Sequence, residues 1–274
     1  MESAQIAYTI DEAHRRGELL RTGRFPKLDS DEIAMDVASA LHEIRQDQGL
    51  RSAGWKLGYT SEAMRQQMGI SQPNASPVYV DWIATDSFVS RPLIHPRVEP
   101  EVCISLAESV RWSVLRSLPS EAQTNYVLDR IDSAKCAMEV VDSVWTNYTF
   151  TWGENTADGS SAAGAVIGDE IPNLDELAAL TVHLSVDEPS GAGESTPVVG
   201  SSRDVLGNPL NAVVWLIRHL ALTETDLLPG EIVLTGGITS SLELPDGSIA
   251  RASFVSDSWE GGVVATRSAT KMNS

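Results

Sequence analysis

The chain has 274 residues, 42% of them apolar and 21% charged, with a net charge of −18. That length can bury a full core and suits one large domain or two small ones, and the composition is that of a soluble globular protein. Such acidity argues against nucleic acid and anionic membranes as partners, and an anionic substrate would need a local cation. Cys103 and Cys136 are too few for a disulfide framework, and no C-x-x-C pair suggests zinc. No basic-then-apolar leader opens the sequence and no apolar run reaches a bilayer span, so the expectation is a cytoplasmic protein.

In chain order, Ile6 to Leu20 reads as a polar amphipathic helix. Ser30 can cap a second helix, in which Ile33, Val37, Leu41 and Ile44 recur at helical spacing until Gly49. His14 and His42 read as surface residues. From Gly54 the pattern changes to short β-runs. Gly54–Ser61 is the first, followed by a helix over Ser61–Met68 and a loop of turn formers, Gly69–Pro77. Strands are expected at Val78–Ile83, 98–106, Cys136–Asp142, Gly164–Gly168, Thr181–Val186 and Glu231–Thr235. A last pair, 249–255 and 262–267, flanks a turn at Trp259–Gly262. Helices are expected at Ser120–Asp132 and Asn208–Leu222, and a turn or loop at Pro189–Ser195. The helices separate the strands too unevenly for a Rossmann sheet, so an α+β fold or a rolled mixed sheet fits better.

The stretch Arg97–Leu106 concentrates the chemistry. Residues two apart in a strand share a face, so Glu99 and Glu101 project together. Paired carboxylates beside an apolar run repel each other and are costly to desolvate without a cation between them. The plain alternative is a solvated edge strand. Pro100 offers no N–H to a ladder and points to an edge or a bulge. Glu139 lies mid-strand in Ala137–Val141, where a lone charge is expensive to bury. With Glu99 and Glu101 it would complete an oxygen-rich site for a hard divalent cation; the alternative is a salt bridge to Arg97 or Lys135. Asp142 faces the other way and reads as structural, as do His95 and His183. Lys56, between apolar residues and glycines, could have its pKa lowered into the range of proton transfer, or could serve a structural ion pair. Thr60 and Ser61 sit at a helix N-terminus suited to a carboxylate. Gly237 and Thr239, in Leu234–Thr239, lie where glycines let backbone N–H groups approach a ligand. Either segment could also be an ordinary turn.

Several stretches in register resemble the 2-keto-4-pentenoate hydratase and 4-oxalocrotonate decarboxylase family of the fumarylacetoacetate hydrolase superfamily. They are Gly54–Ser61, Pro96–Glu101, Met138–Ser143, Gly164–Gly168, Leu206–Leu210 and Pro229–Thr239, spanning roughly residues 30–267. The resemblance implies a mixed β-roll over 51–274 behind an N-terminal helical segment, 1–50, and a homo-oligomer. It implies Mg2+ or Mn2+ on Glu99, Glu101 and Glu139, with Lys56 as proton-transfer group. The substrates would be 2-hydroxydienoic or 2-oxo acids of aromatic-compound catabolism. Two positions depart from the family: Asn74 stands where many hydratases carry an acid, and Gly159 follows Asp158 where many members have Asn. Both positions, Asn74 and Asp158–Gly159, line the pocket in relatives, and the resemblance makes Asn74 and Asp158 catalytic candidates. Hydratase chemistry is slightly favoured over decarboxylation. A non-catalytic partner subunit is the reading from a different class.

Overall fold

Alternation along two long strands builds the centre of the larger sheet in a computed structural model that describes residues 2–84, 92–187 and 196–268. The elements in chain order are α1 (Glu2–Arg16), α2 (Asp31–Asp47), β1 (Ser52–Gly58), α3 (Glu62–Met68), β2 (Asn74–Tyr79) and β3 (Ile83–Ala84). Then come β4 (Arg97–Leu106), α4 (Trp112–Ser117), α5 (Ser120–Leu128), β5 (Ile131–Val141), α6 (Trp152–Ala157) and β6 (Ala162–Glu170). The chain continues through β7 (Thr181–Asp187), β8 (Val198–Ser201), α7 (Pro209–Leu220), β9 (Ile232–Leu234), β10 (Leu242–Glu243), β11 (Ile249–Val255) and β12 (Glu260–Thr266). The loop expected at Pro189–Ser195 lies outside the described residues.

The larger sheet runs β2-β1-β9-β4-β5-β6-β3, with β10 also on β4; the smaller runs β12-β11-β7-β8. Both parallel and antiparallel pairs occur in the larger sheet, giving the mixed α+β roll expected from the sequence. Val98, Val102, Ile104 and Leu106 of β4 and Cys136, Met138 and Val140 of β5 point into one core. α7 and the smaller sheet supply much of the rest of that core, through Val213, Ile217, Leu184 and Phe254. The two sheets touch backbone to backbone where Gly168 of β6 meets Gly262 of β12; a Cβ at Gly168 would collide with the Gly262 carbonyl. α1 and α2 share a second core with Val144, Trp145 and Ala157, contributed by the β-rich part of the chain.

Three local expectations are corrected. β2 covers Asn74–Tyr79, so it begins within the expected loop and takes in only the first two residues of the strand expected at Val78–Ile83, and the segment after it is a 3-10 turn, Val80–Trp82. Pro77 is tolerated because β2 is an edge strand, paired only with β1. β4 in contrast is interior, not an edge. The Pro100 carbonyl accepts from the Ile238 N–H at 3.0 Å. A residue's N–H and C=O point to the same side of a strand, so the missing donor faces the loop between β9 and β10. Finally, α5 ends at Leu128 and β5 begins at Ile131, within the stretch expected to be helical.

Candidate metal centre and active site

The odd-numbered residues of β4 and β5 face away from the main core, toward a small cluster of Val78, Cys103, Ala137, Ala165 and Leu234. Above that cluster stand the three glutamates. Glu99 and Glu139 are direct partners in the antiparallel β4–β5 register, and Glu101 is one same-face step further along β4. One carboxylate oxygen from each lies within 4.8 Å of the others. Glu101 and Glu139 are fully buried, and Glu99 is partly open to a neighbouring cavity. Lys56 reaches the group from β1, its Nζ 3.2 Å from Glu139 Oε1. Glu139 therefore pairs with Lys56 rather than with Arg97 or Lys135.

The charges do not cancel. Fully ionised, the three carboxylates would exceed the charge of Lys56 by two, with Arg97 the further cation acting on Glu99. Burial and the charge of Glu139 hold the Glu101 carboxyl well above its ordinary range. Burial pushes Glu139 up to about 7 against the pull of Lys56, and burial raises Glu99 as well, opposed by Lys56 and Arg97. Burial works to lower the Lys56 pKa, but Glu139, Glu101 and Glu99 outweigh it and the net shift is upward. Without a cation the shift is thus opposite to the expected lowering: desolvation is the largest single effect, yet three nearby carboxylates together exceed it. Glu101 Oε1 and Glu139 Oε2 are buried without a hydrogen bond, and Glu139 Oε1 has only its ion pair with Lys56. Glu101 Oε2 is held by the Gly236 N–H at 2.8 Å. An oxygen-only donor set of three clustered carboxylates with orphaned oxygens fits a hard divalent cation.

A cavity of about 440 Å³ opens beside Glu99, lined among others by Lys56, Tyr59, Arg97, Tyr148, Phe150 and Ser160. Arg97 Cζ lies 5.5 Å from the centre of the Tyr148 ring, and its Nη2 donates to the Ser241 carbonyl at 3.2 Å. It takes part in no ion pair among the described residues.

The other residues singled out from sequence divide. Asn74 is buried next to Lys56, linked through Ser160. Gly237 brings its backbone against Glu99: a Cβ there would lie 2.9 Å from Glu99 Oε2. Thr60 packs its side chain on Gly236, and its buried hydroxyl has no hydrogen-bond partner. Ser61 instead forms a β-bridge with Val205, and Thr239 donates to the Ser240 carbonyl at 2.9 Å. Asp158 does not face the cavity. Its Oδ1 lies 2.6 Å from His14 Nε2, and its Oδ2 accepts from Ser143 Oγ and the Val144 N–H. His14 is accordingly buried, not a surface residue, and His42 bonds the Tyr79 hydroxyl at 2.9 Å. Asp142 accepts from the Ile94 and His95 N–H groups, both at 2.8 Å, which makes it structural as expected. Tyr148 and Ser160 are not among the expected site residues, and Arg97 is considered only as a salt-bridge partner for Glu139. The signal for Ser160 was present in the short polar run Asp158–Ser161 between a helix and a strand.

The fold defines the chain as a mixed β-roll of the fumarylacetoacetate hydrolase type, which a yeast protein of that family also shares. No protein-family model matches the chain. It is 30% identical over 214 residues to 2-keto-4-pentenoate hydratase of Paraburkholderia phymatum, covering 75% of each chain. It is 29% identical over 258 residues to 4-oxalocrotonate decarboxylase of a Pseudomonas species, covering 92% of this chain and 93% of that one. The solved structure of 4-oxalocrotonate decarboxylase from Pseudomonas putida G7, complexed with magnesium and adipate, superposes with a TM-score of 0.83. That likeness covers 97% of both chains at 24% identity. The chain belongs to the 2-keto-4-pentenoate hydratase and 4-oxalocrotonate decarboxylase family.

Proposed function

We propose that the chain is a metal-dependent lyase of short 2-hydroxydienoic or 2-oxo acids. The observation that carries this reading is a buried ammonium, Lys56, ion-paired to one of three clustered carboxylates at the mouth of a cavity. Glu99, Glu101 and Glu139 would hold Mg2+ or Mn2+. When bound, the cation would supply Lewis acidity where negative charge develops on a 2-oxo acid. Lys56 gives and takes the proton that interconverts the enol and keto forms of the substrate. Tyr148 and Phe150 wall the cavity and exclude water from the substrate's carbon chain.

Hydration and decarboxylation both use this electron sink. The sequence motifs lean to hydration, but two features of the site favour decarboxylation. Water addition calls for a base to make the nucleophile, and Asn74, standing where many hydratases carry an acid, can neither take nor give a proton. Its hydrogen-bond partners Ser160, Asn155 and Thr156 cannot either. A decarboxylation substrate also brings a second carboxylate, for which the planar fork of Arg97, which has no ion pair among the described residues, is a suitable cation.

The purified protein, incubated with Mg2+ and either 2-hydroxypenta-2,4-dienoate or 2-oxohex-3-enedioate, tests the reading. Loss of ultraviolet absorbance reports consumption, and CO2 release from the dioate identifies decarboxylation. Consumption of the dienoate without CO2 from the dioate makes the chain a hydratase. An inert partner subunit would consume neither, and that result would overturn the proposed function.

A further inference from the structure

Gly159, Ser160 and Ser161 are consecutive residues in the left-handed region, with φ of 69°, 54° and 55°. Glycine adopts that conformation freely, whereas a serine there is strained and persists only where its surroundings over-determine it. Here the surroundings are a buried chain of hydrogen bonds that begins at Lys56. Lys56 Nζ donates to the Ser160 carbonyl at 2.8 Å and lies 3.2 Å from the Ser160 hydroxyl. That hydroxyl donates to Asn74 Oδ1 at 2.8 Å. The Asn74 amide donates to Asn155 Oδ1 and Thr156 Oγ1, both at 3.1 Å. Asn155 Nδ2 closes the chain on Ser161 Oγ at 2.8 Å.

Only the first donor of this chain is fixed by chemistry; the amides and hydroxyls orient to suit it. An ammonium only donates, an amide oxygen only accepts and an amide nitrogen only donates; the hydroxyl of Ser160 does both. An acid at position 74 would set its second oxygen against Asn155 Oδ1, so the Asn155 amide would have to turn over and Ser161 Oγ to become the donor. In the arrangement present, the amide of Asn74 satisfies every one of these partners without such a reversal. β1 presses on it as well: a Cβ at Gly58 would collide with Asn74 Oδ1 and meet Ser160 Oγ at 2.7 Å.

We propose that Ser160 is the positioning residue for Lys56. Its left-handed backbone turns both carbonyl and hydroxyl onto the ammonium, and Asn74 locks the hydroxyl. The ammonium is thereby aimed at Glu139 and the cavity. The proposal rests on Lys56 being the proton-transfer group of the proposed function.

The test compares the parent with Ser160→Ala, Asn74→Ala and the double variant. Turnover is read as proton exchange at C3 of a 2-oxo acid in D2O with saturating Mg2+. The lost hydrogen bond is to a charged group, so Ser160→Ala should lower kcat for exchange about tenfold to a hundredfold, with KM and the Mg2+-dependent shift in Tm unchanged. Asn74→Ala should lower kcat in the same way, and the double variant should be no worse than the poorer single one. Parental kcat in Ser160→Ala, or additive losses in the double variant, would overturn the proposal. Ser160→Gly relieves the backbone strain while still lacking the hydroxyl, so it should show the same loss even if Ser160→Ala folds poorly. A second readout does not depend on turnover. The protected ¹H–¹⁵N ammonium signal of Lys56, assigned by its absence in Lys56→Met, should shift or vanish in Ser160→Ala. If the parent catalyses no exchange, the proposed function fails; an unchanged ammonium signal in Ser160→Ala then refutes the positioning role separately.

Discussion

Glu99 and Glu139 stand directly opposite each other across the β4–β5 ladder, and Glu101 joins them from the same face. Opposed like charges destabilise a strand pair, and in a buried site the penalty is larger. A pairing this unfavourable is explained by a ligand that the strands are arranged to hold. Glu101→Gln should therefore abolish the Mg2+-dependent rise in Tm that the parent shows. For a ligand at a hundred times its Kd the parent should gain about 2.7 kcal/mol. Scanning calorimetry in Mg2+ and in EDTA checks this, and identical responses of variant and parent would remove Glu101 from the metal site.

The same three carboxylates make Lys56 costly to replace. Lys56→Met leaves Glu139 buried without its cation, and breaking a buried ion pair typically costs about 3–5 kcal/mol. Part of that is recovered as Glu139 takes up a proton, so the loss seen in chemical denaturation should fall at the low end. Turnover should drop by about 10²–10⁴, the usual contribution of a general acid–base group, while Mg2+ still stabilises the variant. Unchanged C3 proton exchange in Lys56→Met would dismiss the lysine as proton carrier.

The legibility of this site in the sequence follows from how local each cause is. The two-residue spacing of Glu99 and Glu101 is a backbone period, and Glu139 is conspicuous as an acid in an apolar strand, so both could be read directly. The stripe Leu210, Val213, Val214 and Ile217 likewise marks the buried face of α7. The sign of the Lys56 shift was not local, because it depends on how many carboxylates other strands bring near. His14 and Asp158 are 144 residues apart, and nothing in either neighbourhood announces the other. β2 was hidden by Pro73, Asn74 and Pro77, which are turn formers except on an edge strand. The Lys56–Ser160–Asn74 chain joins three segments, and only the fold brings them together.

The buried His14–Asp158 contact makes a claim about domain organisation. It ties α1 to the segment that follows α6, and Leu20 pairs with Trp145 beside it, the Leu20 N–H donating to the Val144 carbonyl at 2.7 Å. The N-terminal helices should therefore unfold together with the β-roll in one transition. His14→Ala leaves an Asp158 oxygen without that partner in a buried site and should cost about 1–3 kcal/mol. Deleting residues 1–22 would uncover Trp145 and should leave an aggregating product. Two separated calorimetric transitions in the parent would contradict the single unit.

The metal-free protein should also lose stability as pH rises, for a reason that can be followed group by group. Glu139 is raised to about 7, and Glu101 and Glu99 are raised too, with burial the largest cause in each. An unfolded glutamate titrates near 4.3. Between that value and 7 these three carboxyls hold more protons in the folded state than in the unfolded one, so their contribution to stability falls with increasing pH. Burial shifts a smaller number of groups, His42 and His219, the other way. The loss is complete once pH passes the folded values, because every carboxylate is then ionised in both states. Bound Mg2+ or Mn2+ favours the ionised carboxylates and should flatten or reverse that slope. Urea denaturation at several pH values between about 4.5 and 7.5, in EDTA and in saturating Mg2+, measures both slopes. Parallel slopes in the two conditions would mean that the cation does not bind these glutamates.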